Sequence, residues 1–126
     1  MNQTNELASQ VLSRAQDLVK TGWTQGALAR DKNGQYTSEY SLEACSFCTL
    51  GAYFRAAREL SVQDVEVMQR VRVLAWSSLQ TAINEFPGGS ENISSFNDNP
   101  IRTVEQVIAV FEKTKSLLEA QSVETV

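Results

Sequence analysis

From Asn5 to Thr21 the apolar residues Leu7, Val11, Ala15 and Leu18 recur three to four apart, and Ala8, Leu12 and Val19 widen the stripe. One apolar face at that period predicts an amphipathic helix. Lys20 in its last turn and Gly22 just after it predict the stop, with Gly22 taking the left-handed conformation of a helix end. No helical period runs through Trp23 to Tyr40. Its Asp31-Lys32-Asn33-Gly34 is a turn signal, because Asn-Gly accepts positive φ at little cost. The segment reads as an irregular loop or a short hairpin with Gln25–Arg30 and Gln35–Tyr40 as arms. A second helix is predicted from a Ser46 cap to Leu60, with Phe47, Leu50, Phe54 and Ala57 facing inward. Gly51 inside it marks a close approach by another backbone or a ligand, helix packing being the simpler case.

Ser61 reads as the cap of a third helix with Asp64 in its first turn, and Val65, Met68, Val71, Arg72, Ala75, Leu79, Ala82 and Ile83 trace one face to Phe86. Trp76 and Phe86 are read as core, and Pro87-Gly88-Gly89-Ser90 ends the helix. Glu91 to Ile101 is rich in Asn, Asp and Ser and reads as loop. Thr103-Val104-Glu105-Gln106 is a capping box that opens a last helix to about Gln121, with Val104, Val107, Ile108, Phe111 and Leu118 inward. The expectation is a mainly α fold: a compact bundle of about four helices in a single domain over 1–126, frayed at 1–4 and 122–126.

Apolar residues make up 42% and charged residues 21% of the 126, which favours a folded chain over a disordered one. The longest apolar runs, near Thr49–Phe54 and Val71–Trp76, are broken by Gly51 and Arg72 and fall far short of the ~20 residues of a membrane span. Met1 to Glu6 lacks the basic start and apolar stretch of a signal peptide, so no membrane partner and a cytoplasmic location are expected. A net charge of −4 repels nucleic acid, and no double-stranded nucleic acid partner is expected. Arg55 with Arg58, and Arg70 with Arg72, still leave room for a local anion site.

There is no histidine. That removes the usual general base near neutral pH and the Ser-His and Cys-His nucleophile pairs, and leaves Cys45 and Cys48 as the only soft metal ligands. Cys45-Ser46-Phe47-Cys48 has C-x-x-C spacing at a helix start, but no strand–helix alternation surrounds it, so packing is the preferred reading over redox or zinc. No metal and no cofactor are expected, and no catalytic residue set emerges.

Three other groups invite a ligand. Gly22-Trp23-Thr24-Gln25-Gly26 with Arg30 combines an aromatic face, an amide and a guanidinium; the plainer reading has Trp23 plugging the core and Gln25 satisfying buried backbone. Asn97, Asp98 and Arg102 sit just before a helix N-terminus, where an anion is favoured; the plainer reading makes Asn97 and Asp98 turn-formers. Arg55, one turn beyond Gly51, either points into the space the glycine leaves or belongs to a solvated face with Arg58 and Glu59.

Trp23-x-Gln25-Gly26-Ala27-x-Ala29-Arg30-Asp31, then Cys48-x-x-Gly51-Ala52 with Arg55-Ala56-Ala57, then Asn97-Asp98-x-Pro100-x-Arg102-Thr103 with Glu105 and Val107, form an ordered set across most of the chain. On these the sequence resembles the domain-of-unknown-function family six-one-nine-seven, small proteins of bacteria and their phages. The resemblance implies a compact helical domain and carries no statement about activity.

The leading expectation is a small non-enzymatic binding protein that captures a protein surface or a small anionic, nucleotide-like ligand. Trp23, Gln25, Arg30, Arg55, Asn97, Asp98 and Arg102 are the candidate contacts. A phage counter-defence role is an extension by analogy. Two alternatives stand beside it: a His-free, divalent-ion-dependent hydrolase or transferase using Asp31, Asp98 or Glu91, and an interaction module whose helices pair with copies of themselves.

Overall fold

In the computed structural model, which describes residues 2–88 and 91–124, the chain is mainly helical. Among the described residues it forms the expected compact helical arrangement, with five helices where about four were expected and a two-stranded ribbon: α1 Gln3–Thr21, β1 Ala29–Arg30, β2 Ser46–Phe47, α2 Thr49–Glu59, α3 Val65–Glu85, α4 Ile93–Asp98 and α5 Val104–Glu124. α1 is the central element, packing on α2, α3 and α5 with Ala8, Val11, Leu12, Ala15 and Val19 buried, while α3 also packs on α5. α4 closes one end against α2 and α3.

Local chemistry moved several boundaries. α1 starts at Gln3, not Asn5, because the Asn2 side chain accepts the Asn5 N–H at 2.9 Å. Gly22 ends the helix with φ −176°, extended and not left-handed. A side chain is excluded there by crowding: a Cβ on Gly22 would lie 2.3 Å from the Cys45 carbonyl oxygen. α2 is capped by Cys48, whose sulfur accepts the Gly51 N–H at 3.2 Å, and not by Ser46. Residues 46 and 47 are held extended, because Phe47 N–H donates to the Gly22 carbonyl (2.9 Å) and its carbonyl accepts from Thr24 N–H (3.1 Å). On α2, Leu50 and Phe54 are only partly buried, and Tyr53 takes the inward position.

α3 is capped by Asp64, which accepts the Val67 N–H, rather than by Ser61, whose own N–H still donates to Arg58 at the end of α2. Val65, placed on the inward face by the sequence pattern, is 77% exposed. α4 lies within the stretch read as loop: Asn92 caps it, and Ile93, Phe96 and Asn97 face inward. The capping box forms as expected, Gln106 N–H to the Thr103 hydroxyl at 3.2 Å and Thr103 N–H to the Gln106 amide oxygen at 3.0 Å. α5 continues to Glu124, beyond the expected stop near Gln121; residues 125 and 126 of the expected frayed tail, Met1, and Gly89-Ser90 of the expected helix stop lie outside the described residues.

Of the expected irregular loop or short hairpin, the segment takes the loop form, with the hairpin reduced to its turn. The Asp31 carboxylate accepts the N–H groups of Asn33 and Gln35, and Gly34 sits at φ +78°. The arms meet at one bridge, Arg30 to Tyr36, while the ladder forms between β1 and β2, antiparallel, pairing Ala29 with Phe47 and Arg30 with Ser46. No described helix is long and apolar enough to cross a membrane.

Candidate functional site

Four of the seven candidate residues meet around Asn97, which has no exposed surface. Its Oδ1 accepts three bonds, from the Trp23 indole N–H (2.8 Å), the Thr49 N–H (2.9 Å) and the Thr49 hydroxyl (2.8 Å). Its Nδ2 donates to the Thr24 carbonyl and to Asp98 Oδ1. Gln25 Nε2 donates to the carbonyls of Asn97 and Asn99, both at 2.9 Å, satisfying the end of α4, and Asp98 accepts the Gly26 N–H at 3.0 Å. The side chain of Asn97 thus ties α4, the loop after α1 and the first turn of α2 into one knot, with its own polar atoms paired inside the protein.

The three arginines occupy different places. Arg30 braces the loop from within: Nε to the Thr24 hydroxyl (2.8 Å), Nη2 to the Gln25 carbonyl (3.1 Å), Nη1 to the Gly34 carbonyl (3.0 Å), and the guanidinium 4.8 Å from the Tyr36 ring centre. Arg102 is buried on the other side of α4, between the rings of Phe86 (4.8 Å) and Phe96 (3.9 Å), donating to the Phe96 carbonyl and paired with Glu91 at 3.2 Å. Arg55 belongs to a separate cluster. It donates to the carbonyls of Glu39 (2.8 Å) and Ser41 (3.0 Å), pinning that loop to α2, and pairs with Glu59 at 2.8 Å.

Glu59 also receives Arg14 Nε at 2.6 Å, so one carboxylate joins α1, α2 and the loop. The hydrogen bond from Arg14, and after it that from Arg55, holds the Glu59 carboxyl below the usual carboxylate range. A carboxyl lowered on folding adds stability that is complete above its unfolded pKa of roughly 4.3 and disappears as the pH falls through its folded value. Urea unfolding of wild type and Glu59→Gln is therefore expected to differ at pH 7 and to converge as the pH falls below roughly 4.3 through the folded value; a gap that persists in strong acid would show that packing, not charge, carries the effect.

Asp31 serves its own turn and Asp98 the knot. Among the described residues no group of three or more Cys, Asp or Glu side chains gathers as metal ligands. Cys48 is buried and Cys45 exposed, both as free thiols, and burial pushes the Cys48 thiol up, away from the reactive thiolate.

A further cavity lies elsewhere, between α2 and α3. It is a groove of about 750 Å³ lined by Tyr53, Phe54, Ala57 and Arg58 of α2, Arg72, Val73, Trp76 and Ser77 of α3, and Tyr40 of the loop. Tyr53 is fixed by its hydroxyl, which donates to the Arg72 carbonyl at 3.1 Å, and burial raises its phenol pKa, with Arg72 opposing. The Trp76 ring meets Tyr53 edge-on at 5.7 Å and stacks on Phe54 at 6.4 Å. Arg58 lies over Tyr40 at 4.5 Å. Neither the Arg58 nor the Arg72 guanidinium has a hydrogen-bond or ion-pair partner among the described residues, unlike Arg30, Arg55 and Arg102.

Trp76, read from the sequence as core, is 40% exposed on the lip of this groove. Ala75 and Leu79 on its neighbouring face fill the interior instead, leaving the indole outside the core stripe. Of the groove residues only Arg58 and Arg72 stand out in the sequence, as members of the arginine pairs that leave room for a local anion site. The available signal was that Val73 and Trp76 are apolar yet lie off the Val71-Ala75-Leu79 stripe, with arginines at 58 and 72.

The model of the family of unknown function DUF6197 matches residues 3–117. No curated protein and no solved structure matches the chain.

Proposed function

Since the chain belongs to the DUF6197 family, whose name carries no chemistry, we propose a function from the groove itself: the protein binds a small planar aromatic anion between α2 and α3. The observation that carries this reading is the pairing of an aromatic wall with two guanidiniums that make no hydrogen bond or ion pair among the described residues, Arg58 resting on the Tyr40 ring. Phe54 and Trp76, backed by the buried Tyr53, offer faces on which a flat ring stacks, and Arg58 and Arg72 stand at the same opening to meet a phosphate or carboxylate. The volume falls in the range of small-molecule sites. Unlike the knot around Asn97, this place leaves charged donors without protein partners, and two positive groups beside apolar surface select an anion even on a chain of net charge −4.

Adenosine monophosphate, adenosine and inorganic phosphate separate the contributions of ring and charge in isothermal titration. Adenosine monophosphate is expected to bind at least about tenfold more tightly than either of the others. Arg58→Ala with Arg72→Ala is expected to remove that advantage, lowering its affinity about 10- to 100-fold while leaving adenosine unchanged. Both arginines are exposed and free of ion pairs, so the variant should keep its helicity. Equal binding of the nucleotide and phosphate, or an affinity indifferent to both substitutions, would remove the groove as the site.

A further inference from the structure

α3 carries a second apolar stripe that the fold does not use. Its inward face, Val67, Met68, Val71, Ala75, Leu79, Ala82 and Ile83, is buried. On the opposite face positions 65, 69, 73 and 76 follow the three-to-four spacing of one helix side. They place Val65 (77% exposed), Val73 (63%) and Trp76 around Gln69, with Val62 just before the helix also exposed. A surface helix that buries only one face is expected to be polar on the other.

The charges along the same stretch are ordered. Asp64 and Glu66 stand at the N-terminal end and Arg70 and Arg72 about a turn and a half later, all exposed. Glu66, Arg70 and Arg72 have no ion-pair partner among the described residues. Beside Val73 lies a shallow hollow of about 450 Å³ lined by Thr4, Gln69, Arg70, Leu74 and Ser77.

We propose that α3 pairs antiparallel with α3 of a second copy of this chain, with Gln69 of each near a two-fold axis. The order of the side chains is self-complementary in that register and no other simple one. Val65 falls opposite Val73 of the second copy, beside the hollow, and Val62 falls opposite Trp76. Glu66, on the same flank of the helix as Arg70, lies next to that arginine of the other chain. A parallel pairing would instead set acid against acid and arginine against arginine. An interface that uses the same patch on both copies is closed after two chains. Built mainly on one helix face, it lies at the small end of specific interfaces, so the dimer is reversible. Val73 and Trp76 are shared with the groove, but Val65 and Glu66 are outside its lining, so variants at those two positions test the dimer apart from the ligand.

Sedimentation velocity between about 1 μM and about 500 μM tests it. The wild-type chain is expected to pass from monomer to dimer mass over that range. Val65→Glu is expected to raise the dimer dissociation constant at least about 100-fold, since each dimer buries the position twice. At that exposed first helical position a glutamate favours the helix, and circular dichroism should be unchanged. Glu66→Arg alone and Arg70→Glu alone should each weaken dimerisation, and the two together should restore it. Monomer mass at the top concentration, or a dimer unaffected by Val65→Glu, overturns the surface; failure of the double variant to recover overturns the antiparallel register.

Discussion

Asn97→Ala is expected to lower the unfolding free energy by about 3 to 5 kcal/mol, since truncation strands up to four partner groups at about 1 to 3 kcal/mol each before relaxation. Asn97 is wholly buried, and its removal leaves the Thr49 N–H and hydroxyl, the Trp23 indole N–H and the Thr24 carbonyl without their partner. Trp23 and Thr24 are half-buried and regain some hydration, whereas Thr49 has no exposed surface, and its N–H cannot. The midpoint of thermal unfolding should fall by roughly 10 °C or more for a chain of this size. Asn97→Asp keeps the acceptor but loses the donor and sets a second carboxylate beside Asp98. It too is expected to lose stability, because two carboxylates held side by side repel each other. Urea unfolding followed by circular dichroism measures both variants; a loss for Asn97→Ala under about 1 kcal/mol would mean that water replaces the amide and that the knot is not what holds α4.

What could be read from the sequence is what the chain determines over a turn or two. The stripe of α1 and the Thr103–Gln106 box are local, and both form where periodicity and capping chemistry put them. α4 was hidden because its helix depends on tertiary bonds. Asn97 and Asp98 have the composition of a turn, and they become helical because Ile93 and Phe96 are buried and the Asn97 side chain meets Thr49 and Trp23, 48 and 74 residues away. The start of α2 was misplaced for a related reason. Ser46 is a better cap than cysteine by chemistry alone, but its backbone is already paired in the ribbon with Arg30, so the cap falls to Cys48.

The candidate residues were individually visible, yet their division into a knot, a buried clamp at Arg102 and a loop pin at Arg55 depends on which groups converge, and spacing along the chain does not encode that. The groove was harder still. Its lining comes from α2, α3 and the loop bearing Tyr40, and whether Trp76 is core or lip is decided by how α2 lies across α3, a relation with no local signature.

Gly51→Ala is expected to destabilise the protein by about 2 to 4 kcal/mol, although alanine in a helix interior is ordinarily favoured over glycine by ~1 kcal/mol. The sign reverses because of what lies over the helix. A Cβ on Gly51 would stand 2.0 Å from the carbonyl oxygen of Leu28 and 2.8 Å from its carbonyl carbon, and both belong to backbone that cannot rotate away. That carbonyl also accepts the Cys48 N–H at 3.2 Å, the bond that joins the loop before β1 to the cap of α2. Displacing Leu28 therefore loosens the cap as well as the ribbon. The Cys48 thiol reports this directly: it is buried in the wall of a small hollow that Gly26, Ala27 and Leu28 also line, while Cys45 is already exposed. In Gly51→Ala, a thiol-specific reagent should label Cys48 at least about tenfold faster than in the wild type, if even ~1.4 kcal/mol of the loss is local opening. A variant that is more stable than wild type, with Cys48 still protected, would mean that the loop yields without cost. The glycine would then be a helix weakness rather than the seat on which the loop rests.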